Sequence, residues 1–307
     1  MSALLIVLTP VLILSIVVLF CFAGCTEFGT APEDPAPTPP GGTPPPPGGP
    51  TYQSIVAGTQ GFAGHWRLNE TSGTTAVVLG PLAPNLNGVY QQPGVTLGRD
   101  GALHFKDAGD HAAELDGVHG HADVPFDARL NPDNSLKFTI ELWAKPSAAG
   151  AATQVVISSH RISATGKHRG YEIAFVRVPG QAHANVRGRV YSPNAAAPSD
   201  VIVTPTQGDP QAWRHVVLTY DGASGVGGKK LTLYVGVVGT SGPVLAELPG
   251  SEYQIVNDPD TPLRFGAGHL AGGAAADFFA GLIDEVAFYN AALVKSEVET
   301  HFKASIP

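Results

Sequence analysis

The chain has 307 residues, 43% hydrophobic and 14% charged, enough apolar material for a sizeable core and too little charge for a disordered chain. Its net charge is −8 and no Lys or Arg precedes Arg67, which leaves no basic footprint for nucleic acid. The two cysteines, Cys21 and Cys25, lie ahead of the globular part, so that part has no disulfide and no thiolate metal site.

Leu4 to Gly24 is almost wholly apolar, broken by Thr9, Pro10 and Ser15, and is long enough to cross a bilayer. It ends in Phe22-Ala23-Gly24-Cys25, which resembles a bacterial lipoprotein signal. That resemblance implies that residues 1–24 are removed and that Cys25 is lipidated. An uncleaved signal anchor is the alternative reading. Thr26 stands where an Asp would imply inner-membrane retention, so the resemblance leans to the outer membrane or cell surface. Residues 25–51 are rich in proline and have too few hydrophobes to order themselves. Polyproline II at about 3.1 Å per residue would make twenty of them a stalk of roughly 60 Å. The partners expected from this half are a membrane at the N-terminus and, beyond it, whatever residues 52–307 bind.

With 37 Gly and 27 Pro, the remainder should form many short strands joined by turns. Gly64 to Thr75 reads as a strand and a polar turn, and Val77 to Gly88 as loop. Ala112–Leu115 and His119–Val124 read as two strands of a hairpin turning at Asp116-Gly117. Leu136–Pro146 alternates strictly: Phe138, Ile140, Leu142 and Ala144 should face inward, and Lys137, Thr139, Glu141, Trp143 and Lys145 outward. Further strands are expected at 154–159, 171–177, 183–191, 201–204, 213–220, 231–235, 243–248, 263–266 and 279–289. One helix is expected near 294–303, with Val294, Val298, His301 and Phe302 on one face. The pattern is all-β: an antiparallel two-sheet jelly-roll sandwich with one short C-terminal helix. Trp66, Phe138, Ile140, Leu142, Leu218, Leu233, Ile283 and Val286 are its expected core.

Four stretches resemble the laminin-G-like, concanavalin A-like jelly-roll domain of bacterial surface proteins. They are residues 66–75, residues 115–125, Phe138-Thr139-Ile140-Glu141-Leu142-Trp143-Ala144-Lys145-Pro146, and Trp213 to Gly222 with the last strand. The likeness spans about residues 62–302. It implies the fold, which hosts lectins, adhesion modules and glucanases alike. It also implies calcium as a possible ligand, with Asp116 and Asp284 as the candidate carboxylates. No cofactor is required by anything in the sequence.

Three other groups of residues could carry chemistry. His119, His121 and Asp123 would share a strand face and could ligate a transition metal, or could simply be solvated. Glu114 and Asp116 resemble part of a glucanase carboxylate run, but Val118 and His119 stand where a third acid would be. Trp143, Tyr171, Tyr191 and Tyr253 could offer aromatic rings to sugars. The function expected is a non-catalytic, membrane-tethered surface module that binds carbohydrate or a surface glycoprotein. A structural or adhesion part in an envelope assembly is the alternative, and a glycoside hydrolase a more distant one.

Overall fold

The computed structural model describes residues 49–306, apart from 134, 196, 224–227, 252 and 255–259. The apolar segment, Cys25 and most of the proline-rich stretch lie outside the described residues.

The first sheet contains β1 (Phe62–Trp66), β3 (Val78–Leu79), β5 (Val95–Asp100), β6 (His111–Asp116), β8 (Lys137–Pro146), β14 (Arg214–Asp221), β15 (Lys230–Val237), β16 (Val244–Pro249) and β20 (Ala280–Tyr289). The second contains β2 (Thr75–Ala76), β4 (Gly88–Gln91), β7 (His121–Val124), β9 (Thr153–Ser158), β10 (Arg161–Ile162), β11 (His168–Val176), β12 (Asn185–Tyr191), β13 (Ser199–Val203) and β17 (Leu263–Phe265). A small ribbon, β18 (Gly268–His269) with β19 (Ala275–Ala276), stands apart. Helix α1 is Tyr52–Gly58 and α2 is Lys295–Ser305.

The main path of the first sheet runs β16-β15-β14-β8-β20-β1-β3, and that of the second β13-β12-β11-β9-β17-β7-β4-β2. Pairing is antiparallel throughout these paths. All eight expected core residues are at most 1% exposed and pack between the sheets with Phe175, Phe265 and Phe279. The Trp66 indole N–H is satisfied by the Leu86 carbonyl at 2.9 Å.

Ile283 and Val286 are three residues apart, so simple alternation cannot put both inside. A β-bulge does. Along β20 the partner of Asp284 is Trp143 and that of Ala287 is Glu141, so one extra residue is inserted, and Glu285 takes φ +50°.

Three sequence expectations need correction. Asp116-Gly117 is not a hairpin turn: β6 pairs with β20 in the first sheet, whereas β7 pairs with β17 in the second. The turn carries the chain from one sheet to the other. Secondly, Thr139, Glu141 and Trp143 do point away from the inter-sheet core, yet each is fully buried. Helices α1 and α2 cover that face and enclose a second apolar cluster, with Tyr52, Val56, Trp143, Tyr289, Val298 and Phe302. Thirdly, Val294 caps α2 from outside and is 56% exposed; the packed face is Val298, His301 and Phe302. The stretch read as loop holds the short strand β3 and meets β4 at Gly88, β2 lies just ahead of it, and α1 precedes the first expected strand.

Candidate functional site

The outer face of the second sheet is built by register. Asp123 opposes Arg264, Arg264 opposes Ser158, Ser158 opposes Glu172, Glu172 opposes Arg189, and Arg189 opposes Asp200. Six strands thus place one polar residue each in a transverse row, with acids and arginines interleaved. Arg264 Nε donates to Asp123 at 2.7 Å, and its Nη1 also reaches the carbonyls of Gly268 and Gly273. Arg187 donates to Glu172 at 3.0 Å. Arg189 grips Asp200 with both Nε and Nη2 at 2.5 Å, the two-pronged geometry that a planar guanidinium favours.

At the Arg189 end the row opens into a cleft of about 430 Å³, lined among others by Lys167, His168, Arg189, Tyr191 and Ser192. Its lining rings, His168 and Tyr191, stack on His160. His160 lies 3.9 Å from Tyr191 at 14°, and His168 packs 5.0 Å from His160. The Arg189 guanidinium sits 5.6 Å from the Tyr191 ring centre. His160 Nε2 and His168 Nδ1 are hydrogen-bonded at 2.9 Å. Burial, then the neighbouring His168 and Arg189, push the His160 imidazole down to about 3, so its ring is neutral.

A different group is buried under β20. Oxygens of Asp110, Asp284 and Glu285 lie within 4.8 Å of one another. Arg67 bridges two of them, donating to Asp110 and to Glu285 at 2.9 Å each. Backbone N–H groups of Ala102 and Leu103 donate to Asp284 and Asp110 at 2.7 Å. Gly101 is required beside them, since a Cβ there would stand 2.2 Å from Asp110 Oδ2 and 2.8 Å from Asp284 Oδ2. Burial, with the Glu285 charge next, raises Asp110 to about 7. Burial, Glu285 and Asp110 push Asp284 well above the usual carboxylate range. Asp284 Oδ1 is buried without a hydrogen-bond partner. Asp110, Asp284 and Glu285 offer hard oxygens of the kind calcium takes and are the residues that could hold it, with Asp284 Oδ1 uncommitted, Arg67 already on Asp110 and Glu285, and His65 Nε2 2.5 Å from Glu285 Oε2.

The expected sites are redistributed. Asp284 keeps its place as a candidate ligand, but Asp116 does not join it. Burial is the largest single influence and opposes its charge, but the N–H groups of His119, Gly120 and Val118 together outweigh it and hold Asp116 down to about 2. Those bonds anchor the inter-sheet turn. Of His119, His121 and Asp123, the structure brings His121 Nε2 within 3.7 Å of Asp123 Oδ2, whereas His119 precedes β7 and turns to Asp116, and Asp123 also accepts from Arg264. Glu114 is paired with Arg99 at 2.6 Å. Trp143, Tyr171 and Tyr253 are fully buried and cannot offer a ring to a ligand. Tyr191 does line a cleft, but His160 and Arg189 already pack against its ring. Sequence reasoning missed Arg67, Asp110 and Glu285, which only the bulge and a loop contact bring together. It also missed Lys167, His168 and Arg189, which lie in a run that a local charge count would have found.

The model of the concanavalin A-like lectin/glucanases superfamily matches residues 116–299. No curated protein matches the chain. Among solved structures, the binding domain of Paraclostridial Mosquitocidal Protein 1 aligns with TM-score 0.52 and 16% identity, over 80% of this chain and 52% of that one. The receptor binding domain of botulinum neurotoxin mosaic serotype C/D aligns with TM-score 0.50 and 10% identity, over 81% and 51%. Domain 4 of an extracellular arabinanase from Geobacillus stearothermophilus, in complex with arabinotriose, gives TM-score 0.46 and 17% identity, over 78% and 97%. The chain therefore spans about half the length of the first two. At such identities the likeness speaks for the fold.

Proposed function

Because this chain belongs to the concanavalin A-like lectin/glucanase superfamily, we propose that it is a non-catalytic module that binds glycans on the outer face of its second sheet. The observation that carries the reading is the ion-paired row beside an open cleft. Asp123, Glu172 and Asp200 are each held by an arginine. Glycoside hydrolysis needs two available carboxyl groups roughly 5–9.5 Å apart, and acids locked to guanidinium groups serve it poorly. A rigid polar surface with a cleft suits recognition instead.

In this proposal the module is tethered through Cys25 to the outer membrane or cell surface, and a calcium ion at Asp110, Asp284 and Glu285 would stiffen β20. The partner is a free carbohydrate or a surface glycoprotein. A glycan array probed with the full-length protein tests the binding. Retention of a defined set of glycans without release of reducing sugar is the expected result. Hydrolysis of a bound glycan would replace the module by an enzyme, and silence across the array would favour an envelope assembly role. Intact mass of the membrane-extracted protein tests the tether: Met1 still attached would reject lipidation at Cys25.

A further inference from the structure

We infer that the cleft beside Tyr191 takes an anionic sugar, reading its carboxylate or sulfate through Lys167, His168 and Arg189. This rests on the glycan-binding reading and names the ligand class.

Charge distribution is the first ground. The chain as a whole is acidic, at −8. Residues 160–200 nevertheless hold six of its 18 Lys and Arg (Arg161, Lys167, Arg169, Arg177, Arg187 and Arg189) against two carboxylates, Glu172 and Asp200. Within it, the stretch His-Arg-Ile-Ser-Ala-Thr-Gly-Lys-His-Arg over 160–169 has no acid at all. The fold makes this a local pole. Arg161 pairs across the β10–β11 hairpin with Arg169, and Arg189 on β12 lies beside β11. Among the described residues that line the cleft there is no acid, although Asp200 pairs with Arg189 from behind its wall.

The way the rings are used is the second ground. Neutral sugars are commonly held by stacking on an exposed aromatic face. Here Tyr191 is only 6% exposed, with His160 stacked on it and Arg189 over it. What the cleft offers is donors. Among the described residues Lys167 Nζ spends one of its three N–H on the Pro193 carbonyl at 3.2 Å, and its side chain is exposed. Asp200 fixes the Arg189 fork while the guanidinium stays at the cleft wall. A cleft of about 430 Å³ suits one or two sugar units, whereas a duplex or a bilayer would need a broad convex or flat basic surface.

The test is calorimetric titration of the full-length protein with trigalacturonate and with a chondroitin 4-sulfate tetrasaccharide, against maltotriose and lactose, at low and high salt. A single-stranded DNA oligomer and phosphatidylglycerol vesicles form the control arms. The acidic sugars should bind at least roughly tenfold more tightly than the neutral ones and weaken with salt. The two acidic arms tell a carboxylate from a sulfate preference. Lys167→Glu and His168→Gln change exposed side chains, so the fold should survive, and each should cost roughly tenfold in affinity. Lys295→Glu, the same charge change on α2, should leave affinity unchanged. Neutral sugars binding as well as acidic ones, or indifference to Lys167→Glu, would overturn the inference while the glycan reading stands. DNA or vesicles binding as tightly as the acidic sugars would replace it by a general polyanion surface. No sugar binding in any arm would sink the glycan reading itself.

Discussion

On the outer face of the first sheet, Glu141, Trp143, His215 and Tyr289 lie sealed beneath α1 and α2; on the outer face of the second, the row from Asp123 and Arg264 through Glu172 ends at Arg189, which lines an open cleft. Both faces come from strands that alternate in the same way. Alternation says on which side of a strand a residue falls, and leaves open what covers that side. The chemistry of charge differs accordingly. The Glu141 carboxylate is fully buried and bonded to His215 at 2.6 Å, Tyr289 at 2.7 Å, His301 at 2.8 Å and Tyr52 at 2.9 Å. Burial opposes its charge, yet His301 and His215 hold it well below the usual carboxylate range. On the other face the same kind of group is neutralised by arginine and remains reachable by solvent, where an ion pair contributes far less.

Removing the buried hub should therefore do the most damage. Glu141→Ala leaves two imidazoles and two hydroxyls without their common partner and should cost about 3–5 kcal/mol. A urea melt checks this, and a loss under about 1 kcal/mol would mean that the hub does not pin the helices. The next test takes adjacent elements of one strand. Trp143→Ala on the helical side should cost about 3–5 kcal/mol and Ile140→Ala on the core side about 2–5, both from cavity formation. Near-harmless loss of Trp143 would put it back on an open surface and erase the contrast between the faces.

A pH dependence follows from the acid group under β20. Asp110 is raised from 3.8 to about 7, so between those values the folded chain keeps a proton that the unfolded chain has lost. Stability from this site should fall as pH climbs through that window and level off above it. Asp110→Asn should flatten the slope in melting temperature. Calcium should raise the melting temperature most above the window, where the carboxylates are ionised, and a chelator should reverse it. Equal melting with calcium and with chelator would reject the cation. The smallest effects belong to the open face and rim: Asp200→Asn should cost about 1 kcal/mol and Lys145→Ala under about 0.5.

The inter-sheet core was legible because Phe138, Ile140, Leu142, Leu218 and Leu233 sit in runs whose period is unmistakable. Of the helical cover, α2 was legible near 294–303, but α1 was not, since it is seven residues long and directly follows a proline-rich stretch. The bulge at Glu285 was hidden too: a one-residue insertion leaves no mark in composition, yet it decides which of Ile283, Asp284 and Val286 face the core. The aromatic candidates failed for a related reason. Tyr171 and Tyr253 satisfy the inter-sheet core around Phe138, where ring centres lie 5.1 and 5.5 Å away. The basic run at 160–169 was legible but masked by the acidic total. A net charge averages over poles that the fold keeps apart.

Helix α1 also has a mechanical consequence. It is the segment that any tension arriving through Thr51 meets first, and its grip on the sandwich is short: the Tyr52–Glu141 bond, the Thr59–His301 bond and the packing of Val56. Pulled from its N-terminus, seven helical residues would peel before β1, which is paired on both sides by β20 and β3. Going from about 1.5 Å to about 3.4 Å per residue, they would release roughly 13 Å of slack. A pull from that side would then be absorbed as extension at one edge of the helical face, while the sheet that carries the cleft kept its shape under load.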